Sequence, residues 1–208
     1  MAGIASLVEW LRKTRDRLLK AITTRAVASG NPSMQKIDDY KKYWNEVVIP
    51  DYDDFFADLD NLRKAFHCAG SLFHMADWLY WGNQGYIDAN FTWFDGSGVA
   101  QPVKDERTFA NAVRDLYPDF ELIRNIANAG KHLEIKKGKH AASPVSAANT
   151  YVSSTGFGIG GWGMGPWGGT PRVRQEGPGG ADLELSDLAT SVRDMWIALC
   201  ARHGFSLR

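Results

Sequence analysis

The stretch Asp51-Tyr52-Asp53-Asp54-Phe55-Phe56-Ala57-Asp58-Leu59-Asp60-Asn61-Leu62-Arg63-Lys64-Ala65-Phe66-His67-Cys68-Ala69-Gly70-Ser71-Leu72-Phe73-His74-Met75-Ala76-Asp77-Trp78-Leu79-Tyr80-Trp81 decides the fold class. Apolar residues recur at Tyr52, Phe55, Phe56, Leu59, Leu62, Phe66, Ala69, Phe73, Ala76 and Tyr80. Steps of three and four put them on one side of a helix, so the spacing predicts a single long helix over 51–81, packed lengthwise in a bundle.

Upstream, a helix is expected over 34–48, stopping before Pro50, because proline disfavours helical backbone at the preceding residue. Before it, Ser29-Gly30-Asn31-Pro32-Ser33 reads as a turn. The first segment, 4–28, has helical apolar spacing at Ile4, Leu7, Val8, Leu11, Leu18 and Ile22, with basic residues on its other faces. Such a basic helix presents a solvated face, or binds a membrane, RNA or a partner. Downstream, 82–98 reads as an aromatic and glycine-rich loop carrying Tyr86, Phe91, Trp93 and Phe94. A short helix is expected over 108–116 with Thr108 as its N-cap, then another from Asp119 to about Lys136, packing through Phe120, Ile123, Ala127 and Gly130.

From Gly138 onward the composition changes, and glycine density rules out helix around 156–169. Thr150–Ser153, Arg172–Arg174 and Leu183–Leu185 read as short strands. The last helix is expected over 187–202, with Ser186 as N-cap and Gly204 as its stop. The expected fold is mainly α: one domain over 1–208, a bundle of about five to six helices. A β-hairpin and Gly/Trp-rich insertion at 138–185 precedes the last helix.

The chain has 208 residues, with 24 Lys+Arg against 24 Asp+Glu. Zero net charge argues against coating nucleic acid by bulk charge, and leaves room for a local basic groove. Cys68 and Cys200 have neither CxxC spacing nor enough company for a disulfide framework, so reduced, buried thiols are expected. Charged residues follow Val8 at once, which does not suit a secretion signal, and no apolar run is long enough to span a bilayer. The reading is a cytoplasmic protein with no membrane role and no cofactor.

The residues that could carry chemistry lie on two helices. With Arg124 at zero degrees, Asn128 falls near about +40°, Lys131 near −20° and His132 near +80°. These four share a sector beside the packing face, where polar groups must find partners or water. On the long helix Arg63, His67, Gly70, His74 and Asp77 recur in steps of four and three. If the helices pack together, His74, Asp77, Arg124, Asn128 and His132 meet. Histidine serves as general acid or base, arginine and lysine hold phosphate, and asparagine or aspartate orients the imidazole. Cleavage of RNA by its own 2′-hydroxyl needs these functions and no metal. The competing reading is structural: Asp77 with Arg124, and Asn128 with His74, would only fix helix register. A metal site would need His67, His74, Asp77 and His132, but His67 and His74 stand roughly 10.5 Å apart along a helix. Lys136, Lys137, Lys139 and His140 could extend a phosphate-binding surface.

Ala65-Phe66-His67-Cys68-Ala69-Gly70-Ser71-Leu72-Phe73-His74-Met75-Ala76-Asp77-Trp78 with Ile123-Arg124-Asn125-Ile126-Ala127-Asn128-Ala129-Gly130-Lys131-His132 resembles the HEPN superfamily, over about 52–136. The resemblance implies a helical bundle, often a homodimer, found in toxin–antitoxin and phage-defence systems. Its ribonucleases carry an arginine, a following polar residue and a histidine after a gap of four to six residues. Arg124-Asn125 match the first two positions, while seven residues separate Arg124 from His132, one more than that pattern has. Two functions remain open. One is RNA binding or metal-independent RNA cleavage through His132, Arg124, Asn128, Lys131, His74 and Asp77. The other is a non-catalytic interaction module, or a phage-encoded inhibitor, that meets a protein partner through Trp93, Trp162 and Trp167.

Overall fold

The computed structural model describes residues 36–129, 149–154, 171–176, 180 and 182–208. Among them are six helices and two small antiparallel sheets, the larger one just ahead of the C-terminal helix. This is the mainly helical architecture that the apolar spacing predicts. The basic segment 4–28, the turn at 29–33, Gly130 and the glycine–tryptophan stretch 156–169 lie outside the described residues.

Helix α1 spans 40–56 and passes through Pro50, where the sequence predicts a stop. It comprises Tyr40–Tyr43, a π-helical segment Trp44–Val48, and Ile49–Phe56. The wider turn explains the passage. A proline ring collides with the carbonyl four residues back in an α-helix. Here the Ile49 N–H bonds the Trp44 carbonyl, five residues back, so the backbone is already widened when Pro50 is reached.

The single helix expected over 51–81 is two, and the break is local chemistry. Asn61, in extended conformation, caps α2 (Leu62–Gly82) by accepting from the Lys64 N–H at 3.2 Å, and its amide donates to Asp58 at 2.9 Å. Short polar side chains that bond nearby backbone compete with helix at such points. The gap is used: the Val173 N–H bonds the exposed carbonyl of Leu59 at 2.8 Å.

The buried face of α2 is Ala65, Cys68, Ala69, Leu72, Met75, Ala76, Leu79 and Tyr80. It is turned by about one residue from the predicted stripe. Leu62 is 37% exposed, while Phe66 and Phe73 are half-buried. Leu72, Met75, Leu79 and Tyr80 fill the face between the small residues, and Phe66 and Phe73 lie at its edge. α5 (Pro118–Ala129) closes on α2 in the most extensive helix–helix contact. Phe120, Ile123 and Ala127 of α5 are buried, as its spacing predicts.

The region 82–98 is not a loop. It holds α3 (Gln84–Asn90) and β1 (Thr92–Phe94), which pairs with β2 (Ala100–Pro102) across a turn held by Asp95. α4 (Glu106–Leu116) starts earlier than predicted because Asp105, not Thr108, is its N-cap. The Asp105 carboxylate accepts from the Thr108 N–H at 2.7 Å and the Thr108 hydroxyl accepts from the Asp105 N–H at 3.1 Å, a reciprocal capping box. These bonds from the Thr108 hydroxyl and backbone hold the Asp105 carboxyl below its ordinary pKa.

β3 (Thr150–Ser154), β4 (Pro171–Glu176) and β5 (Asp182–Glu184) form the second sheet, with β4 central and Val152 opposite Val173. α6 (Leu185–His203) follows directly, so Ser186 sits inside its first turn rather than capping it. Gly204 ends it in left-handed conformation at φ 71°, and the Phe205 N–H closes on the Cys200 carbonyl. Trp196 locks α6 into the core. Its indole N–H donates to the Leu72 carbonyl at 2.9 Å, which satisfies a donor that burial would otherwise leave unpaired. Among the described residues no helix is long and apolar enough to cross a membrane.

Candidate functional site

Three helices converge on a cleft of about 220 Å³. α2 contributes Phe73 and Asp77, α4 contributes Glu106, Arg107 and Ala110, and α5 contributes Arg124. Each arrives there for a local reason. Asp77 lies one turn beyond Phe73 on the edge of the packed face of α2. Glu106 and Arg107 occupy the first turn of α4, which the capping box at Asp105 fixes. Arg124 lies on α5 between the buried Ile123 and Asn125, so only one side of it faces out.

Arg124 is held firmly. Its side chain is 12% exposed. It donates through Nη1 to Asn111 Oδ1 on α4 at 3.1 Å, and the Glu121 carboxylate stands 3.5 Å from the same nitrogen. Burial pulls its pKa down, Glu121 opposes this, and Arg114 and Arg107 add to the depression. It remains a cation, since guanidinium stays protonated over any ordinary pH range. Asn125 is buried and donates to the other Glu121 oxygen at 3.4 Å. Asn111 also accepts from Arg114 at 3.4 Å. A desolvated cation held on two sides binds an anion at little further cost in ordering.

Across the cleft, Asp77 Oδ2 meets His74 Nδ1 at 2.9 Å, one turn apart on α2. Both side chains are partly open to solvent. A carboxylate on one imidazole nitrogen fixes the orientation of the ring.

Of the predicted residues, Asp77 and Arg124 line one cleft, and His74 joins it through Asp77. Asn128 lies half-buried one turn beyond Arg124. Arg63 and His67, which continue the predicted polar stripe, are exposed on the N-terminal half of α2 and do not line the cleft. Lys131, His132, Lys136, Lys137, Lys139 and His140 lie outside the described residues. The hydrogen bonds differ from the register-fixing pairs considered above: Asp77 bonds His74, and Arg124 bonds Asn111. Sequence reasoning missed Glu106, Arg107, Asn111 and Glu121. The available signal was the D-x-x-T capping pattern at Asp105–Thr108, which places a polar first turn on α4.

A larger cleft of about 530 Å³ lies between the second sheet and α5–α6, with Asp119, Asp182, Glu184 and Asp187 on its walls. Arg174, on its wall, is committed to Asp182 and Glu184. Among the described residues no group of three or more His, Cys, Asp or Glu side chains is placed to hold a metal. Cys68 and Cys200 are free and buried, and burial pushes each thiol up to about 12. Burial of this kind disfavours the reactive thiolate form.

The aromatic surface is in part the one expected. Tyr86 packs one side of its ring on His203 and Phe205, and Trp93 is half-buried. Trp81 at 62%, Phe94 at 51% and Tyr86 at 42% are the exposed aromatics of that region. Trp162 and Trp167 lie outside the described residues. No protein-family model, no curated protein and no solved structure matches this chain.

Proposed function

We propose that the chain binds RNA and cleaves it without a metal, in the manner of the HEPN-like ribonucleases it resembles and in a defence or toxin–antitoxin setting. The observation that supports this is the cleft in which Arg107 and Arg124 face Asp77, with Asp77 holding His74. Arg124 and Arg107 take the scissile phosphate. His74, oriented by Asp77, removes the proton of the 2′-hydroxyl. The 2′-oxygen bonds phosphorus, the bond to the 5′-oxygen breaks, and the leaving oxygen takes a proton from His132. Lys131 and His132, with Asn128, complete the proposed set on the sequence pattern alone. In-line transfer of this kind is mostly positioning and electrostatics, which a preorganised arginine supplies. Zero net charge fits a contact confined to one cleft rather than a coating surface.

The test is a defined RNA incubated with purified protein. Products ending in 2′,3′-cyclic phosphate are expected, with the rate falling about a hundredfold or more in H74A and R124A. RNA left intact by the wild type, or cut equally well by H74A, R124A and H132A, overturns the proposal.

The exposed Trp81 and Phe94 favour a second reading, a non-catalytic module that meets a protein partner. There, Phe94→Asp or deletion of 156–169 abolishes co-purification of the partner while the fold survives. Unchanged co-purification in both variants sinks it.

A further inference from the structure

The cleft between α2, α4 and α5 carries more than cations. Glu106 and Arg107 stand next to each other on its α4 wall, Phe73 forms part of its α2 wall, and Ala110 keeps it open between them. A ligand that satisfies all of these has an anionic group, a flat apolar face, and N–H donors for a carboxylate. At about 220 Å³ the space suits one such unit and no duplex.

We infer that the cleft takes a single unpaired nucleotide and selects guanine, with Glu106 as the specificity-determining residue. The inference rests on the RNA reading above. The phosphate lies on Arg107 and Arg124 and the base lies against Phe73. An ionised carboxylate only accepts hydrogen bonds, and it can accept two side by side. Guanine alone presents two adjacent donors, N1–H and the 2-amino group, on its pairing edge. Adenine and cytosine present one amino group beside an acceptor, and uracil presents one N–H between two carbonyls that a carboxylate repels. In a duplex those guanine donors are taken by the partner strand, so the base must be unpaired. Phe73 gives stacking without base preference, which leaves the choice to Glu106.

The experiment titrates the full-length protein with fluorescent pentaribonucleotides of the form UUNUU, where only the central base varies. The guanine oligomer is expected to bind about tenfold more tightly than the adenine one, as a good bidentate contact allows. E106Q replaces one acceptor with a donor and is expected to reduce that ratio to about twofold or less. R107A/R124A is expected to weaken all four oligomers alike and to flatten the salt dependence. Guanine no better than adenine in the wild type, or a ratio that survives E106Q, overturns the base selectivity while leaving RNA binding standing. Binding unchanged in R107A/R124A, or absent for every oligomer, overturns the RNA reading and this inference with it.

Discussion

Cys68 and Cys200 show at the residue scale how burial sets chemistry. Each thiol is shut away from water, and loss of hydration raises its pKa to about 12. The thiolate is the reactive form, so both should resist a disulfide reagent in the native protein at pH 8. Their modification is expected to run at least about a hundredfold slower than in denaturant. Labelling of either within seconds under native conditions would show that the packing around it is wrong. These thiols were legible as buried from their helical position alone. Arg124, Asp77 and His74 were legible too, because helical geometry is enough to put them on facing stripes. Asn111 and Glu121 were not. Their bonds to Arg124 join positions 13 and three residues away, and only the angle between α4 and α5 makes the longer of the two possible.

Helix α2 carries two glycines in opposite circumstances. A β-carbon at Gly70 would meet nothing within 4 Å. Gly70→Ala should therefore stabilise the protein by about 0.5–1 kcal/mol, since alanine restricts the unfolded chain and prefers helix. At Gly82 the same carbon would stand 2.5 Å from the Tyr40 ring. Displacing that ring from the start of α1 costs about 1–3 kcal/mol, which outweighs the propensity gain. Gly82→Ala should be net destabilising. Urea midpoints of the two variants should move in opposite directions, and a shared sign would contradict the helix placement. The same scale explains why boundaries were read less well than faces. The apolar period runs through Asp58–Asn61 unbroken, but side-chain bonds to the backbone end the helix there. Pro50 errs the other way, because a π turn is a backbone response that no apolar pattern records.

Across the whole molecule, the end of α6 ties distant segments together. Asn45 donates to the Leu207 carbonyl at 2.8 Å, and His203 sits among Tyr86, Phe91 and Phe205 with its Nδ1 3.2 Å from the Tyr86 hydroxyl. A helix C-terminus would raise a histidine pKa, yet burial and then Arg202 lower that of His203 from 6.5. Around and just below that value the unfolded chain binds a proton that the folded chain refuses. Stability is therefore present above 6.5 and is lost as pH falls through the lower folded value. His203→Gln should remove that part of the acid sensitivity, seen as a flatter dependence of melting temperature on pH between 7 and roughly 5. An identical profile in wild type and variant would exclude His203 as its source. At this scale the helical class and the sheet ahead of α6 were legible from spacing and glycine content. The cleft was legible only in part, because its third wall comes from α4, to which the sequence assigns no chemistry.

The wide turn at Trp44–Val48 has a consequence in genetic terms. A π-helical segment is an α-helix carrying one residue more than its neighbours, and Pro50 follows two residues after it. Removing one codon from that segment would draw it back to α geometry, push a carbonyl against the proline ring, and rotate everything before it by about 100° relative to everything after. Exchanging the exposed Glu46 for another helix former would do neither. This part of the gene is therefore constrained by how many codons it has as well as by the buried Trp44 and Val48. Lineages of the chain should show free substitution at Glu46, and single-codon deletions only together with loss of the proline.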